Sequence, residues 1–342
     1  MSAANTATVV PTKSNNQTHL IIDFTLLKQI YAAHSLSGKE GKRRKVVRDY
    51  VRKNIPDCTM FTDPAGNLFI TRGQSDTYPC VTAHLDMVCD TRSRDFNTYE
   101  TDEILFGFSL KNRRQESAGM DDGNGIFAAI LMLERFPVMK VALFTREEVG
   151  AQGASECDLS WFDDCRFVIE PDRKGGTDII TDNGWTTLCS DEFLRATGYE
   201  AYGYKPTSGL LTDVFCLKER GLAISCINLS IGYTNHHHDT EVTVKADLVR
   251  GIDFITHVIE TCTDVYPHIS EDDYSWGRYG HVRDYDLYDW IEDYLLYYPD
   301  ATDEDIVAEF SDCTKMSPYE IAAIAQEIRN IYYIDQPEED KI

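Results

Sequence analysis

Residues 78–86, YPCVTAHLD, decide how the rest of the chain is read. From Tyr78 to Ala83 the run is apolar or β-branched with little polar alternation, and it then ends abruptly on His84 and Asp86. A strand covered on both faces looks like this, and such strands belong to parallel sheets flanked by helices. Side chains on a strand alternate, so residues two apart share a face, and His84 and Asp86 can look into one pocket. A histidine two before an acid is also an ordinary surface pair, so the surrounding segments carry the decision.

Working outward, NLFITRG (67–73), KVALFT (140–145), CRFVIE (165–170), DIITD (178–182) and RGLAISCINLSIG (220–232) read as further short strands bounded by turn or charged residues. Between them, DFTLLKQIYAAH (23–34), GNGIFAAILMLERF (123–136) and ADLVRGIDFITHVIETC (246–262) carry helical spacing. SGKEGKRRKVVRDYVRKNI (37–55) is a further helix, with Ser37 as N-cap and Glu40 three residues on as a capping box. Strands alternating with helices predict an α/β fold, a three-layer sandwich with a mainly parallel central sheet. Ligands gather at the carboxyl ends of such strands.

Beyond about residue 265 the pattern changes. LYDWIEDYLLYY (287–298), TDEDIVAEFSD (302–312) and SPYEIAAIAQEIRNIYYI (317–334) predict three short helices, with Thr302 and Ser317 as N-caps. The expected organisation is a disordered tail over 1–18, an α/β domain over 19–267 and a small C-terminal all-helical appendage over 268–342. That last part holds 20 Asp and Glu against 5 Lys and Arg, so about −15 of the net charge of −24 lies there. An acidic chain is a poor partner for nucleic acid, whose phosphates demand a basic surface. No apolar run approaches the ~20 residues that span a bilayer, and the N-terminus lacks the pattern of a secretory signal. The ten cysteines are scattered without a C-x-x-C pair, which suits reduced thiols and a cytoplasmic protein and disfavours a zinc ribbon.

The polar residues at the segment ends repeat a theme. SAGMDDGNGI (117–126) sets Asp121 and Asp122 in a glycine-rich turn ahead of a buried helix. VALFTREEVGAQGA (141–154) ends a strand on Glu147 and Glu148, and FVIEPDRKGGTDII (167–180) ends one on Glu170 and Asp172. YTNHHHDTE (233–241) follows another with His236, His237 and His238. Each has a plain reading as helix capping or a solvated pair. Five at the carboxyl ends of one sheet predict a single polar cluster, and two histidines with several carboxylates suit zinc or a similar divalent ion. The excess of ligands over the needs of one ion points to two metals sharing a carboxylate.

In these segments the chain resembles the co-catalytic di-zinc peptidases of clan MH, the aminopeptidases, peptidase T and their relatives. LSGKEG (36–41) resembles the family's PSG-x-E stretch and DPAGNLFI (63–70) its D-x-x-G-N strand. AHLDMV (83–88), GMDDGNGI (119–126), TREEVGAQGA (145–154) and GYTNHHHDTE (232–241) follow in the family's order. The resemblance implies two Zn2+ ions per chain, held by His84, Asp121, Glu148, Asp172 and His237, with Glu170 as the alternative to Asp172. Asp121 would bridge the ions, commonly with a strained peptide to Asp122. Glu147 would be the general base, and Asp86 the carboxylate that orients His84. His236 and His238 would point elsewhere, toward substrate or solvent. The implied activity is hydrolysis of N-terminal residues from peptides with a free N-terminus. Asp172 and His237 are 65 residues apart, too few for the inserted lid of carboxypeptidase-like members, so a compact form is expected. Assembly into a homo-oligomer is left open. Two other readings compete: acyl transfer of the glutaminyl-cyclase type with one zinc, and a metal-binding or interaction protein with a vestigial site. Neither explains five ligand candidates together with Glu147.

Overall fold

The computed structural model describes residues 22–184, 186–209, 212–270, 287–288, 291–292, 294–295, 298, 301–310 and 317–332. The expected N-terminal tail, and the predicted helix over 287–298 in part, lie outside the described residues. Helices α1 (Thr25–Ala32) and α2 (Gly41–Asn54) are followed by strands β1 (Cys58–Thr62), β2 (Leu68–Arg72), β3 (Tyr78–His84), β4 (Phe96–Glu100), β5 (Ile104–Ser109) and β6 (Arg114–Gln115). Next come α3 (Met120–Arg135), β7 (Met139–Phe144), α4 (Gln152–Glu156), β8 (Cys165–Arg173), β9 (Asp178–Asp182), α5 (Asp191–Ala196), β10 (Lys205–Ser208) and α6 (Asp213–Glu219). The α/β part closes with β11 (Cys226–Ser230), β12 (Tyr233–Thr234), β13 (Val242–Val244) and α7 (Lys245–Thr261), and α8 (Asp303–Phe310) and α9 (Pro318–Tyr332) follow.

The main sheet has the order β1-β2-β7-β3-β8-β11-β9-β10. Its centre, β7-β3-β8-β11, is parallel; on one flank β2 runs antiparallel to both β7 and β1, and on the other β9 runs antiparallel to β11 but parallel to β10. Period-two alternation splits the sheet into two cores. Ile70, Val81, Val141, Ile169 and Ile227 face one side with α1, α3 and α7, while Phe69, Cys80, Ala142, Val168 and Cys226 face the other with α4 and α6. This is the expected three-layer α/β sandwich. Helix α3 is buried almost all round, consistent with its apolar run.

Two features depart from the sequence reading. A second, smaller sheet, β12-β13-β5-β4 with β6 on β5, joins the hairpin after β3 to the histidine-bearing segment. Ser37 does not cap α2: the residue before that helix is Glu40, and the Ser37 hydroxyl donates instead to Asp86 Oδ2 at 2.7 Å. The other two caps form as capping boxes. The Asp305 amide donates to Thr302 Oγ1 and Thr302 N to Asp305 Oδ2, and Ser317 and Glu320 repeat the exchange at α9. Leu287, Ile291 and Leu295, spaced four apart, share a core with Ile306, Phe310, Ile321 and Ile328, separate from both faces of the sheet.

Candidate metal centre

Parallel pairing brings the acidic segments together. β3 registers His84 opposite Phe144 of β7, so the turn after β7 starts beside the histidine. In that turn Arg146 adopts φ +56° and Gly150 φ +95°, bends that swing Glu147 and Glu148 back over the sheet edge. Asp121 enters from the first residues of α3. His237 comes from the turn between β12 and β13 rather than from the end of a main-sheet strand. It sits at φ +63°, a region that histidine visits more readily than most residues. The cluster is thus built from three strand ends, one helix start and one hairpin, not five strand ends.

The two oxygens of Asp121 face different histidines. Oδ1 lies 2.8 Å from His84 Nε2, and Oδ2 lies 3.5 Å from His237 Nε2. His237 Nε2 is also 3.0 Å from Glu148 Oε2, and His84 Nε2 is 3.7 Å from Asp172 Oδ1. Potential ligand atoms of His84, Asp121 and Glu148 lie within 4.8 Å of one another, as do those of His84, Glu147 and Asp172. The Asp121–Asp122 peptide bond is cis. A cavity of about 330 Å³ opens over Asp121, Glu147, Glu148, Asp172 and His237, with His236 on its wall. His236 therefore faces the cavity, while the backbone of His238 closes the turn through Asn235 and Glu241.

Of the two candidates on β8, Asp172 stands in the cluster and Glu170 turns away. Glu170 Oε2 accepts from Thr212 Oγ1 at 2.6 Å and from the Val214 amide, and burial with the nearby Asp172 charge pushes its carboxyl up to about 8. A bulge separates them: Asn228 pairs with Glu170 but Ser230 pairs with Arg173, so three steps on β8 oppose two on β11. Pro171 lies in that step and has no amide to give the ladder. The Asn228 side chain replaces the missing rungs, accepting from Asp172 N and donating to Asp172 O. Tyr233 then donates its hydroxyl to Asp172 Oδ1 at 3.0 Å.

Asp86 is the hub beneath. It is fully buried, with Oδ1 3.4 Å from His84 Nδ1 and accepting from the Glu147 amide at 3.1 Å. Oδ2 accepts from Ser37 Oγ and from the Glu148 amide at 3.3 Å. Burial raises this carboxyl, but the His84 ring, Ser37 and the Glu147 amide more than offset it and hold it below its ordinary value. Burial alone would lower His84, yet the Asp172 charge, the hydrogen bond to Asp121 and the nearby Asp86 carboxylate carry it well above its usual value. His237 is raised in the same way by Glu148 and Asp121. Burial lifts the Glu147 carboxyl well out of the usual range, and Asp172 and Glu148 add to it against the pull of His84. Such crowding favours positive charge at the centre, and imidazole nitrogens with carboxylate oxygens are a zinc-type donor set.

Sequence reading gave Ser37 only a helix-capping role and assigned none to Asn228 and Tyr233. The signal for the last two was their position on the apolar segment leading into the histidine run.

No family model matches this chain, and no curated protein matches it by sequence. Among solved structures it is similar to aminopeptidase PepT from Bacillus cereus, with TM-score 0.54 and 14% identity over 69% of this chain and 96% of that one. A tripeptidase from Staphylococcus aureus gives TM-score 0.55 and 11% identity over 70% and 97%. A TET aminopeptidase from a marine-sediment thaumarchaeote gives 0.53 and 14% over 70% and 96%. At these identities the likeness is one of fold. Among the described residues, no helix is long and apolar enough to cross a membrane.

Proposed function

We propose that the chain is a zinc-dependent exopeptidase that removes N-terminal residues from peptides with a free N-terminus. One observation carries the reading: Asp121 presents its two carboxylate oxygens to the Nε2 atoms of two different histidines. A carboxylate so placed is suited to bridge two ions. His84 and Asp172 would hold one, His237 and Glu148 the other. When ionised, the four carboxylates Asp121, Glu147, Glu148 and Asp172 carry four negative charges, which two divalent ions would balance. When bound, such a pair supplies Lewis acidity that polarises the scissile carbonyl and acidifies water.

The chain's own residues do the rest. Glu147, beside His84 and Asp172 and on the cavity wall, accepts a proton from the attacking water on its carboxylate and returns it to the leaving amine nitrogen. Asp86 fixes the His84 ring so that Nε2 points into the centre, and through two backbone amides it fixes the turn that carries Glu147 and Glu148. Asn228 and Tyr233 set the direction of Asp172. In this reading residues 19–267 are the catalytic unit and 268–342 a separate acidic segment, whose described part includes α8 and α9. The test is hydrolysis of matched peptides with free and blocked N-termini, with and without a chelator. Loss on blocking and on chelation is expected. Equal cleavage of blocked peptides contradicts an aminopeptidase.

A further inference from the structure

Arg43 lies on the same stripe of α2 as Val47 and Val51, at i, i+4 and i+8, and all three are fully buried. An arginine on the buried face of a Lys- and Arg-rich helix is unusual, because ionised side chains are almost never fully buried unless paired. Among the described residues it makes no ion pair with a carboxylate. Its guanidinium instead spans two backbone carbonyls: Nη1 donates to Asp86 O at 2.9 Å and Nη2 to Gly119 O at 3.1 Å. The first lies two residues after His84, the second two before Asp121.

Gly119 is shaped for this contact. It adopts φ +63°, and a Cβ there would collide with Arg43 Nη2 and with Met87. The segment it belongs to is gripped on other sides too. Arg92 donates to Ser117 O at 3.1 Å, and Glu241 accepts from Ser117 Oγ and from the Asp121 amide, both at 2.8 Å. Arg92 also approaches Met87 Sδ at 3.8 Å, but Arg43 is the one that holds the Asp86 carbonyl itself. Glu241, Asp86 and Asp122 are the charges that act on it, so it also offsets acid at the centre.

We propose that Arg43 is a positioning residue for the metal centre: its planar fork locks the backbone bearing Asp86 to the backbone that delivers Asp121, and thereby sets metal affinity. This rests on the metallopeptidase reading. A lysine retains the charge but is a point donor that cannot hold both carbonyls in fork geometry.

The test compares the full chain with Arg43→Lys and Arg43→Met. Zinc affinity is read by competition with a chromophoric chelator, and folding by a thermal melt. Folded Arg43→Lys binds zinc about 10- to 100-fold more weakly, as loss of an outer support to metal ligands typically does. Its peptidase activity climbs back as zinc is raised, a rescue that a merely structural defect would not give. A folded variant with unchanged zinc affinity overturns the proposal. Should both variants fail to fold, guanidinium-labelled arginine in the unmutated chain gives the answer by nuclear magnetic resonance. The slowly exchanging Arg43 signals should shift during zinc titration with the midpoint of metal uptake, and signals unmoved at saturation overturn the coupling. Failure of the unmutated chain to bind zinc at all instead refutes the metallopeptidase reading.

Discussion

Replacing Asp86 with asparagine removes one charge and leaves the side chain's shape intact. The carboxylate faces four nitrogen or hydroxyl groups: His84 Nδ1 and the Glu147 amide at Oδ1, and Ser37 Oγ and the Glu148 amide at Oδ2. An amide offers one oxygen and one NH2, so one side must turn from acceptor to donor. With the NH2 toward His84, it donates to Nδ1, forces the ring proton onto Nε2 and blocks that nitrogen as a ligand. With the NH2 toward Ser37, the hydroxyl can rotate to accept, but the Glu148 amide meets a donor. That arrangement costs about 1–3 kcal/mol for the buried amide. The charge contact with His84 is lost, and the bond from the Glu147 amide falls from charge-assisted to neutral strength, roughly half. The sum is on the order of 2–4 kcal/mol, divided between stability and metal binding. Metal affinity should fall about 10- to 100-fold, as for other supports of ligating histidines. Urea denaturation of the metal-free protein and zinc competition measure the two parts separately. An Asp86→Asn protein with unaltered stability and unaltered zinc affinity refutes the account of this hub.

Glu147→Gln should keep its zinc while turnover falls by about 10²- to 10⁴-fold, the usual contribution of a general base, as read by peptide hydrolysis alongside metal analysis. Tyr233→Phe removes the donor to Asp172 Oδ1 and should cost about 1.5–3 kcal/mol, the range for a hydrogen bond to a charged group. A zinc affinity within twofold of the unmutated protein argues against that bond. Ser317→Ala removes the Ser317 Oγ that accepts from the Glu320 amide, and should destabilise α9 by about 0.5–2 kcal/mol. Faster amide exchange confined to the C-terminal helices checks this, since their core is separate from the sheet's.

Much of the fold could be read from unbroken apolar strands such as Tyr78–Ala83, because burial on both faces leaves a signal that does not depend on partners. The second sheet was invisible for the opposite reason. Its strands come from residues 96–115 and 233–244, are short and half-exposed, and become a sheet only once folding brings them together. The candidate site was legible where acids or histidines cluster in sequence. Asp172 was favoured over Glu170 but not decided, because strand alternation allows either; the bulge at Pro171 places only Asp172 in the cluster. Ser37 carried a capping-box pattern, but its hydroxyl was drawn to a buried carboxylate 49 residues away, a competition that local sequence cannot show. Arg43 was hidden in a basic stretch that reads as a solvated helix face, although its four-residue spacing from Val47 and Val51 marked it as inward.

The central claim is that Asp121 lies between two metal ions. X-ray diffraction from crystals grown with zinc, with data collected on both sides of the zinc absorption edge, tests it directly. Two anomalous peaks per chain are expected, one beside His84 and Asp172 and one beside His237 and Glu148, with Asp121 touching both. A single peak, or none, in a folded chain saturated with zinc contradicts it.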